Sequence, residues 1–129
     1  ANDRAAIAAV LLGLVDDDEH LTAEAAAWAL GEWGEANPLL DATLAALIAM
    51  TTTHDEPLCR EAAVAALGAI GDERGLDAVL VACNDKPAIR RRAVLALSPF
   101  DGPRVEAAID QALGDRDWQV RQAAEDLRR

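Results

Sequence analysis

Apolar residues recur along this chain at steps of three and four, the spacing that places side chains on one face of an α-helix. The clearest stretch is CREAAVAALGAIG, from Cys59 to Gly71. Its stripe consists of Cys59, Ala62, Ala63, Ala66, Leu67 and Ile70. No stretch alternates between apolar and polar residues for long enough to indicate a β-strand. The pattern therefore predicts an all-α protein.

The same stripe occurs at three other places in the chain, and we call the four segments the A helices. The equivalent residues are Thr22, Ala25, Ala26, Ala29, Leu30 and Trp33, then Ile89, Arg92, Ala93, Ala96, Leu97 and Phe100, and finally Val120, Ala123, Ala124 and Leu127. A second pattern lies between these segments, and we call its four copies the B helices. Their equivalent residues are Ile7, Val10, Leu11 and Leu14; Leu40, Thr43, Leu44 and Leu47; Leu76, Val79, Leu80 and Cys83; and Val105, Ala108, Ile109 and Ala112.

The two patterns alternate along the chain, beginning with a B helix and ending with an A helix. Helices are predicted at residues 3–15, 22–33, 38–51, 56–70, 74–83, 87–97, 103–113 and 117–128. One pair of short helices cannot bury both of its faces, so stacked copies must share a core. We predict a single domain over residues 1–129, folded as an all-α solenoid (superhelix) of about four antiparallel helix pairs.

Small and polar residues fall where these helices are predicted to begin and end. Glycine suits the left-handed cap that ends a helix, and the A helices end near Gly31, Gly34, Gly68 and Gly71. Proline suits the first turn of a helix, where the B helices have Pro38 and Pro103. Aspartate suits the position before the first turn, and the predicted N-caps of two A helices are Asp55 and Asp85.

Two stretches carry a family resemblance. One reads Cys59-Arg60-x-Ala62-Ala63-x-x-Ala66-Leu67-Gly68-x-Ile70-Gly71-Asp72-Glu73-Arg74, and the other reads Asp117-Trp118-Gln119-Val120-Arg121-Gln122-Ala123-Ala124. Both resemble the short HEAT-like repeat, also called the phycobilisome-lyase HEAT-like repeat, and the resemblance covers nearly the whole chain. It implies a solenoid whose B helices line the concave face, in a family made up mostly of binding scaffolds.

The composition is acidic and contains almost no lysine. The net charge is −11, and Lys86 is the only lysine among 12 basic residues. This surface predicts a salt-loving archaeal source, with an acidic protein from a GC-rich genome as the alternative. The charge repels nucleic acid and anionic lipid at long range.

No apolar run reaches the roughly 18 residues that span a bilayer, and no leader opens the chain, so a cytoplasmic protein is predicted.

Three arginines occupy one repeat position, namely Arg60, Arg90 and Arg121. They could form a basic ladder that binds an anionic ligand. The family resemblance instead implies structural pairs with acidic residues of adjacent repeats, and the nearby candidates are Asp55, Asp85 and Asp117. We favour the structural interpretation. The run Arg90-Arg91-Arg92 does not predict nucleic-acid binding, because successive residues of a helix point to different faces.

Three acidic residues share a position early in the B helices, namely Asp41, Asp77 and Glu106. If the B helices line the concave face, these carboxylates form an acidic stripe that suits a basic peptide. They could instead stabilise the positive end of the helix dipole.

Trp28 lies outside the main stripe of its helix, and two interpretations stay open. It could pack on the N-terminal helix, or it could mark a binding surface.

The remaining reactive residues do not form a recognisable catalytic or metal-binding motif. The acidic loop from Asp16 to His20 lacks the spacing of a calcium-binding loop. His20 and His54 are too distant in sequence to form a local ligand pair. Cys59 and Cys83 align with apolar positions, which predicts buried thiols without a chemical role. We therefore predict no cofactor, no metal and no catalytic residue.

The preferred hypothesis is a non-enzymatic protein–protein interaction module that binds another protein or a peptide on a concave helical face. The alternative is a subunit that resembles bilin lyases or is otherwise associated with an enzyme, although the lack of tyrosine argues against a tetrapyrrole pocket. A third possibility, a nucleic-acid reader resembling HEAT-like DNA glycosylases, needs a basic concave face. The oligomeric state and the identity of the partner are not predicted.

Overall fold

The computed structural model describes residues 2–129, and this range folds into eight α-helices with two 3-10 turns and no strand. The helices are α1 (Asn2–Leu14), α2 (His20–Trp33), α3 (Leu40–Thr53), α4 (Pro57–Ile70), α5 (Leu76–Ala82), α6 (Pro87–Ala96), α7 (Pro103–Leu113) and α8 (Trp118–Arg128). The predicted boundaries lie within two residues of these. The predicted all-α class is confirmed.

The helices form two layers that follow the predicted repeat. The A helices α2, α4, α6 and α8 lie side by side, each against the next. The B helices α1, α3, α5 and α7 form the second layer, each against the A helix of its own pair. The chain is therefore an α-solenoid of helix pairs, and the core lies between the layers. Leu30, Leu67 and Leu97 occupy equivalent places in it and are fully buried.

Two glycines allow the A helices to approach one another closely. A Cβ atom at Gly31 would lie 2.7 Å from the Cα of Ala66, and one at Gly68 would lie 2.6 Å from the Cα of Ala96. Both glycines lie inside helices, so the prediction that they act as C-caps is wrong. Gly71 does cap α4, with a φ of 73° and an amide that donates to the carbonyl of Leu67.

The close packing of the A helices also determines the direction in which the stack curves. The B helices lie further from one another than the A helices do. In a curved stack the more tightly spaced layer is on the inner side. The A helices therefore line the concave face, and the prediction that the B helices line it is wrong.

The residues that cap the A helices differ from the predicted ones. Glu56, rather than Asp55, is the N-cap of α4 and accepts a hydrogen bond from the amide of Leu58. Lys86, rather than Asp85, occupies the N-cap position of α6. Asp117 caps α8 by accepting hydrogen bonds from the amides of Gln119 and Val120, the second and third residues of that helix.

Candidate functional site

The predicted arginine ladder is a set of contacts between successive repeats. The guanidinium of Arg60 donates from Nε and Nη2 to the two oxygens of Asp85, at 2.9 and 3.1 Å. One repeat later, Arg90 makes the same forked contact with Asp115, at 3.0 and 2.9 Å. In each case Nη1 donates to the backbone of the loop before its own helix, to His54 or to Asp85. The ladder ties the loops of neighbouring helix pairs together.

The last member of the ladder is held differently. Arg121 donates to the carbonyl of Asp115 at 2.7 Å, while the side chain of Asp117 caps α8. Asp55 contributes only a carbonyl, to Arg60. The predicted partner roles of Asp55 and Asp117 are therefore wrong, and Asp115 was missed. The sequence did contain an indication of this pair. Asp115 lies 25 residues after Arg90, as Asp85 lies 25 residues after Arg60.

Burial and hydrogen bonding together decide the ionisation of this ladder. The hydrogen bond from Arg90 lowers the pKa of Asp115 below its usual value. Burial acts to raise the pKa of Asp85, but hydrogen bonds from Arg60 and from the Lys86 amide outweigh it, so this pKa is also lowered. The carboxylates raise the pKa of Arg60 and of Arg90 in return. The ladder stays charged and internally paired, which leaves Arg60 and Arg90 with little capacity to bind an outside anion.

The acidic column on the B helices is paired with a second set of arginines. Its members lie in the outer layer and are exposed. The contacts are Arg74 Nη1 to Asp41 Oδ1 at 2.8 Å, Arg104 Nη1 to Asp77 Oδ1 at 2.8 Å, and Arg128 Nη2 to Glu106 Oε2 at 3.1 Å. Each carboxylate thus meets an arginine supplied by a later part of the chain. Sequence reasoning missed these arginines, although Arg74 and Arg104 lie close before the acidic residue of their own helix pair, three residues before Asp77 and two before Glu106.

The two histidines lie closer together than their sequence separation suggested. Their ring centroids are 5.9 Å apart and meet edge to face. Nδ1 of His54 accepts a hydrogen bond from the amide of Glu56, and Nδ1 of His20 lies 3.4 Å from Oε2 of the same residue. Within residues 2–129, no group of three acidic, histidine or cysteine side chains has the geometry of a metal site.

The cysteines lack the chemistry of a nucleophile. Burial, with smaller contributions from Glu24 and Glu56, raises the pKa of the Cys59 thiol. Its sulfur faces the carbonyl of His20, 3.5 Å away, rather than an imidazole. Burial raises the pKa of Cys83 to about 11. Since only a thiolate attacks readily, neither cysteine is poised for catalysis near neutral pH.

A groove on the concave side is the surface that best fits a ligand. Trp28 on α2 and Arg92 on α6 face each other across α4, and the guanidinium carbon lies 5.1 Å from the centre of the indole ring. Nε of Arg92 also donates to Oε2 of Glu61, at 3.1 Å. We call the surface formed by Trp28, Glu61, Ala65, Ala69, Arg92 and Leu95 the A-face groove.

Small side chains form the floor of the A-face groove and Trp28 divides it. Two hollows of about 310 and 350 Å³ flank the indole, and both are lined by Ala65 and Ala69. Trp28 is 37% exposed, so much of its ring is available to a second molecule. The tryptophan therefore lies on an accessible concave surface, with Arg92 against its ring.

Comparison with known proteins adds one finding. A family model of HEAT repeats matches residues 7–97, which is more than two thirds of the chain. No curated protein matches the sequence. Within the described residues, no helix is long and apolar enough to cross a membrane.

Proposed function

This chain belongs to the HEAT-repeat family, and we propose that it is a non-enzymatic binding module that holds another protein in its A-face groove. Repeats of this family commonly serve as scaffolds for protein interactions. The observation that carries the proposal is the partly exposed Trp28 on the concave side, set between two hollows with an alanine floor.

The shape of the groove favours a helical segment of the partner. Because Ala65 and Ala69 project little, a helix can approach the backbone of α4 closely. Trp28 and Leu95 then contact the apolar face of that helix, as in other helix-in-groove complexes. A half-exposed tryptophan loses much of its remaining contact with water in such a complex, and buried tryptophans are common anchors of interfaces.

The charge around the groove favours a partner with basic residues. Glu32 on α2 lines one of the two hollows, and the chain as a whole carries a net charge of −11. Arg92 is already paired with Glu61. An amphipathic helix with lysine or arginine beside its apolar face therefore matches both the shape and the charge, and long-range attraction would speed its association.

The acidic column supports this function less than the groove does. Asp41, Asp77 and Glu106 lie on the outer layer, and each is paired with an arginine. A basic peptide would have to displace those arginines. We therefore propose the A-face groove, rather than the acidic column, as the surface that the partner contacts.

Substitution of Trp28 tests this function. Proteins captured from the source proteome at its native salt should include one that is retained by the wild type and lost with Trp28→Ala. For that protein we expect the substitution to weaken binding by about 2 kcal/mol or more, about thirtyfold in Kd, measured by calorimetry.

Trp118→Ala is the matched control, because Trp118 is 64% exposed and lies outside the groove. It should leave the affinity within about twofold of the wild type. Equal retention of every captured protein by Trp28→Ala and the wild type would contradict the proposal.

The alternative, a bilin-lyase-like or other enzyme-associated subunit, has less support. A tetrapyrrole pocket needs several aromatic side chains, whereas Trp28 is the one aromatic side chain among the described residues that line the two hollows. A change in the absorption spectrum of an added bilin would favour this alternative. Nucleic-acid binding is also less supported, since a net charge of −11 opposes a polyanion.

We also propose a salt-adapted source and a cytoplasmic location. The first is supported by a surface rich in Asp with a single lysine. The second is supported by two free thiols, of which Cys59 is buried, because reducing compartments keep cysteines unpaired.

A further inference from the structure

A second row of apolar side chains lies beside the A-face groove. Leu58 lies seven residues before Ala65 on α4, and Leu21 lies seven residues before Trp28 on α2. Seven residues are close to two helical turns, so each leucine lies on the same side of its helix as the groove residue. Leu21 and Leu58 are 67% and 51% exposed. Ala88 has the same position on α6 and is also exposed, and we call these three residues the leucine row.

The exposure of this row is not confined to the end of the stack. Leu58 belongs to α4, which packs against α2 on one side and against α6 on the other. Neither neighbour covers the Leu58 side chain, although Cys59 and Ala62, one and four residues later, are completely buried. The leucine row is therefore part of the concave face, which is apolar at two levels along the A helices.

A charged bridge separates the leucine row from the floor of the groove. Glu61 lies three residues after Leu58 and four residues before Ala65. It accepts a hydrogen bond from Nε of Arg92 at 3.1 Å, and the same guanidinium lies over the ring of Trp28. A single helix laid along this bridge would remove the charges from water without providing new contacts, which is unfavourable. The groove and the leucine row are therefore two separate apolar surfaces.

The dimensions of the concave face fit two helices side by side. Helix α4 contains 14 residues and is about 21 Å long, whereas a helix with its side chains is about 10 Å wide. Two helices that cross α4 can therefore lie next to each other, one on each side of the bridge. In the other direction, three A helices about 9 Å apart present about 27 Å, which is the length of about 18 helical residues.

The area of the concave face also favours two helices over one. A single helix in the groove covers about 10 by 27 Å, or about 270 Å² of this chain. The smallest stable interfaces bury roughly 600 Å² per partner. A second helix on the leucine row raises the covered area to about 540 Å², which is close to that limit.

We propose that the partner presents a helical hairpin, with one helix in the A-face groove and the other on the leucine row. This inference rests on the proposed function and specifies the kind of partner that the groove binds. Antiparallel helices joined by a short loop pack about 8–10 Å apart, which matches the separation of about 10 Å between Leu58 and Ala65 along α4. The bridge between Glu61 and Arg92 then lies beneath the seam of the hairpin and keeps its own contacts.

The charges beside the two surfaces determine where the hairpin is basic. Glu24 lies on α2, three residues after Leu21, and Glu32 on the same helix lines a hollow of the groove. Arg91 has the position of Glu24 on α6. Lysine or arginine of the hairpin is therefore expected over α2, where it complements these carboxylates.

Two synthetic probes test the proposal. One is an amphipathic helix of about 18 residues with a leucine face flanked by lysines, and the other is a hairpin of two such helices joined by a short glycine loop. Calorimetry in about 1 M KCl measures their binding, because the long-range attraction between the probes and this acidic chain is then screened. We expect the hairpin to bind the wild type at least about tenfold more tightly than the single helix does.

Leu58→Gln distinguishes the leucine row from the groove. It should lower the affinity of the hairpin to about that of the single helix, whereas Trp28→Ala should weaken the binding of both probes. Val81→Gln is the control, since Val81 is 61% exposed on the outer helix α5, and it should leave both affinities within about twofold of the wild type. Leu58 and Val81 are both exposed, so neither change should alter the circular dichroism spectrum.

The outcomes separate this inference from the proposed function. A hairpin that does not bind, that binds no better than the single helix, or that keeps its advantage in Leu58→Gln would overturn the inference. Single-helix binding that is unaffected by Trp28→Ala would instead contradict the groove. A captured protein that is lost with Trp28→Ala should also be lost with Leu58→Gln, and its retention by Leu58→Gln would leave the groove in place but refute the hairpin.

Discussion

Arg90 and Asp115 show how single residues hold successive repeats together. Both side chains are largely buried, at 9% and 15% exposure, and they meet in a two-pronged hydrogen bond. Charged hydrogen bonds in such surroundings contribute more than exposed ion pairs do. By contrast, Arg104 and Asp77 are 66% and 81% exposed, so water already screens their attraction.

Asp115→Asn should lower the free energy of unfolding by about 2–3 kcal/mol at neutral pH. The amide retains an acceptor for the backbone but removes the charge that pairs with a buried guanidinium. Urea denaturation measures the change. Asp77→Asn is the exposed control and should cost less than about 1 kcal/mol. Equal losses for the two variants would show that burial of the pair is unimportant.

The same variant should change how stability depends on pH. The pKa of Asp115 is lower in the folded chain than in the unfolded chain. Its contribution is therefore present above the unfolded pKa of about 4 and is lost as pH falls through the folded pKa. We expect the wild type to lose stability in this range and Asp115→Asn to lose less. Parallel curves for the two proteins would contradict this assignment.

Contacts between helices depend on small side chains at particular positions. Gly68 packs against the backbone of α6, where a methyl group would lie 2.6 Å from both the Cα and the Cβ of Ala96. Backbone cannot move aside as easily as the end of a flexible side chain. The closeness of α4 and α6, and through it the concave A-face groove, thus depends on the absence of one methyl group.

Gly68→Ala should destabilise the chain by about 1–2 kcal/mol, because overpacking outweighs the better helix propensity of alanine. Gly13→Ala is the control, since nothing lies within 4 Å of its added methyl group. It should stabilise α1 by up to about 1 kcal/mol. Thermal melting of both variants measures the difference, and a stabilised Gly68→Ala would show that the helices can separate without cost.

The whole molecule combines a small-residue core with a strongly acidic surface. The net charge of −11 is spread over a short stack, and self-repulsion of this kind destabilises a compact state. Part of the acidic charge is compensated by the arginine ladder and by the arginines beside the acidic column. The loop Asp16–Glu19 has no ion-pair partner within the described chain.

The melting temperature should therefore rise steadily as KCl increases into the molar range. The Debye length shortens from about 10 Å at 0.1 M salt to about 3 Å at 1 M. This weakens the repulsion between surface carboxylates. Differential scanning calorimetry at several KCl concentrations measures the trend. A melting temperature that does not respond to KCl would refute the proposed salt adaptation.

The sequence alone determined the helices and the repeat. The spacing of apolar residues is a local property of a helix, so the stripe around Cys59 and its copies predicted the all-α solenoid. It also predicted the equivalent burial of Leu30, Leu67 and Leu97. Trp28 lies outside the stripe of its helix, and one of the two interpretations of that position was an exposed tryptophan. Trp28 is 37% exposed in the structure.

Only the tertiary structure decided which face is concave and which charges meet. Curvature follows from the distances between helices, and these depend on the fit of Gly31 and Gly68 against residues far along the chain. Likewise, Asp115 pairs with Arg90, and His20 lies beside His54, because stacking brings loops of different pairs together. Periodicity shows which side of a helix is buried, but the identity of its neighbours is set by packing across the whole stack.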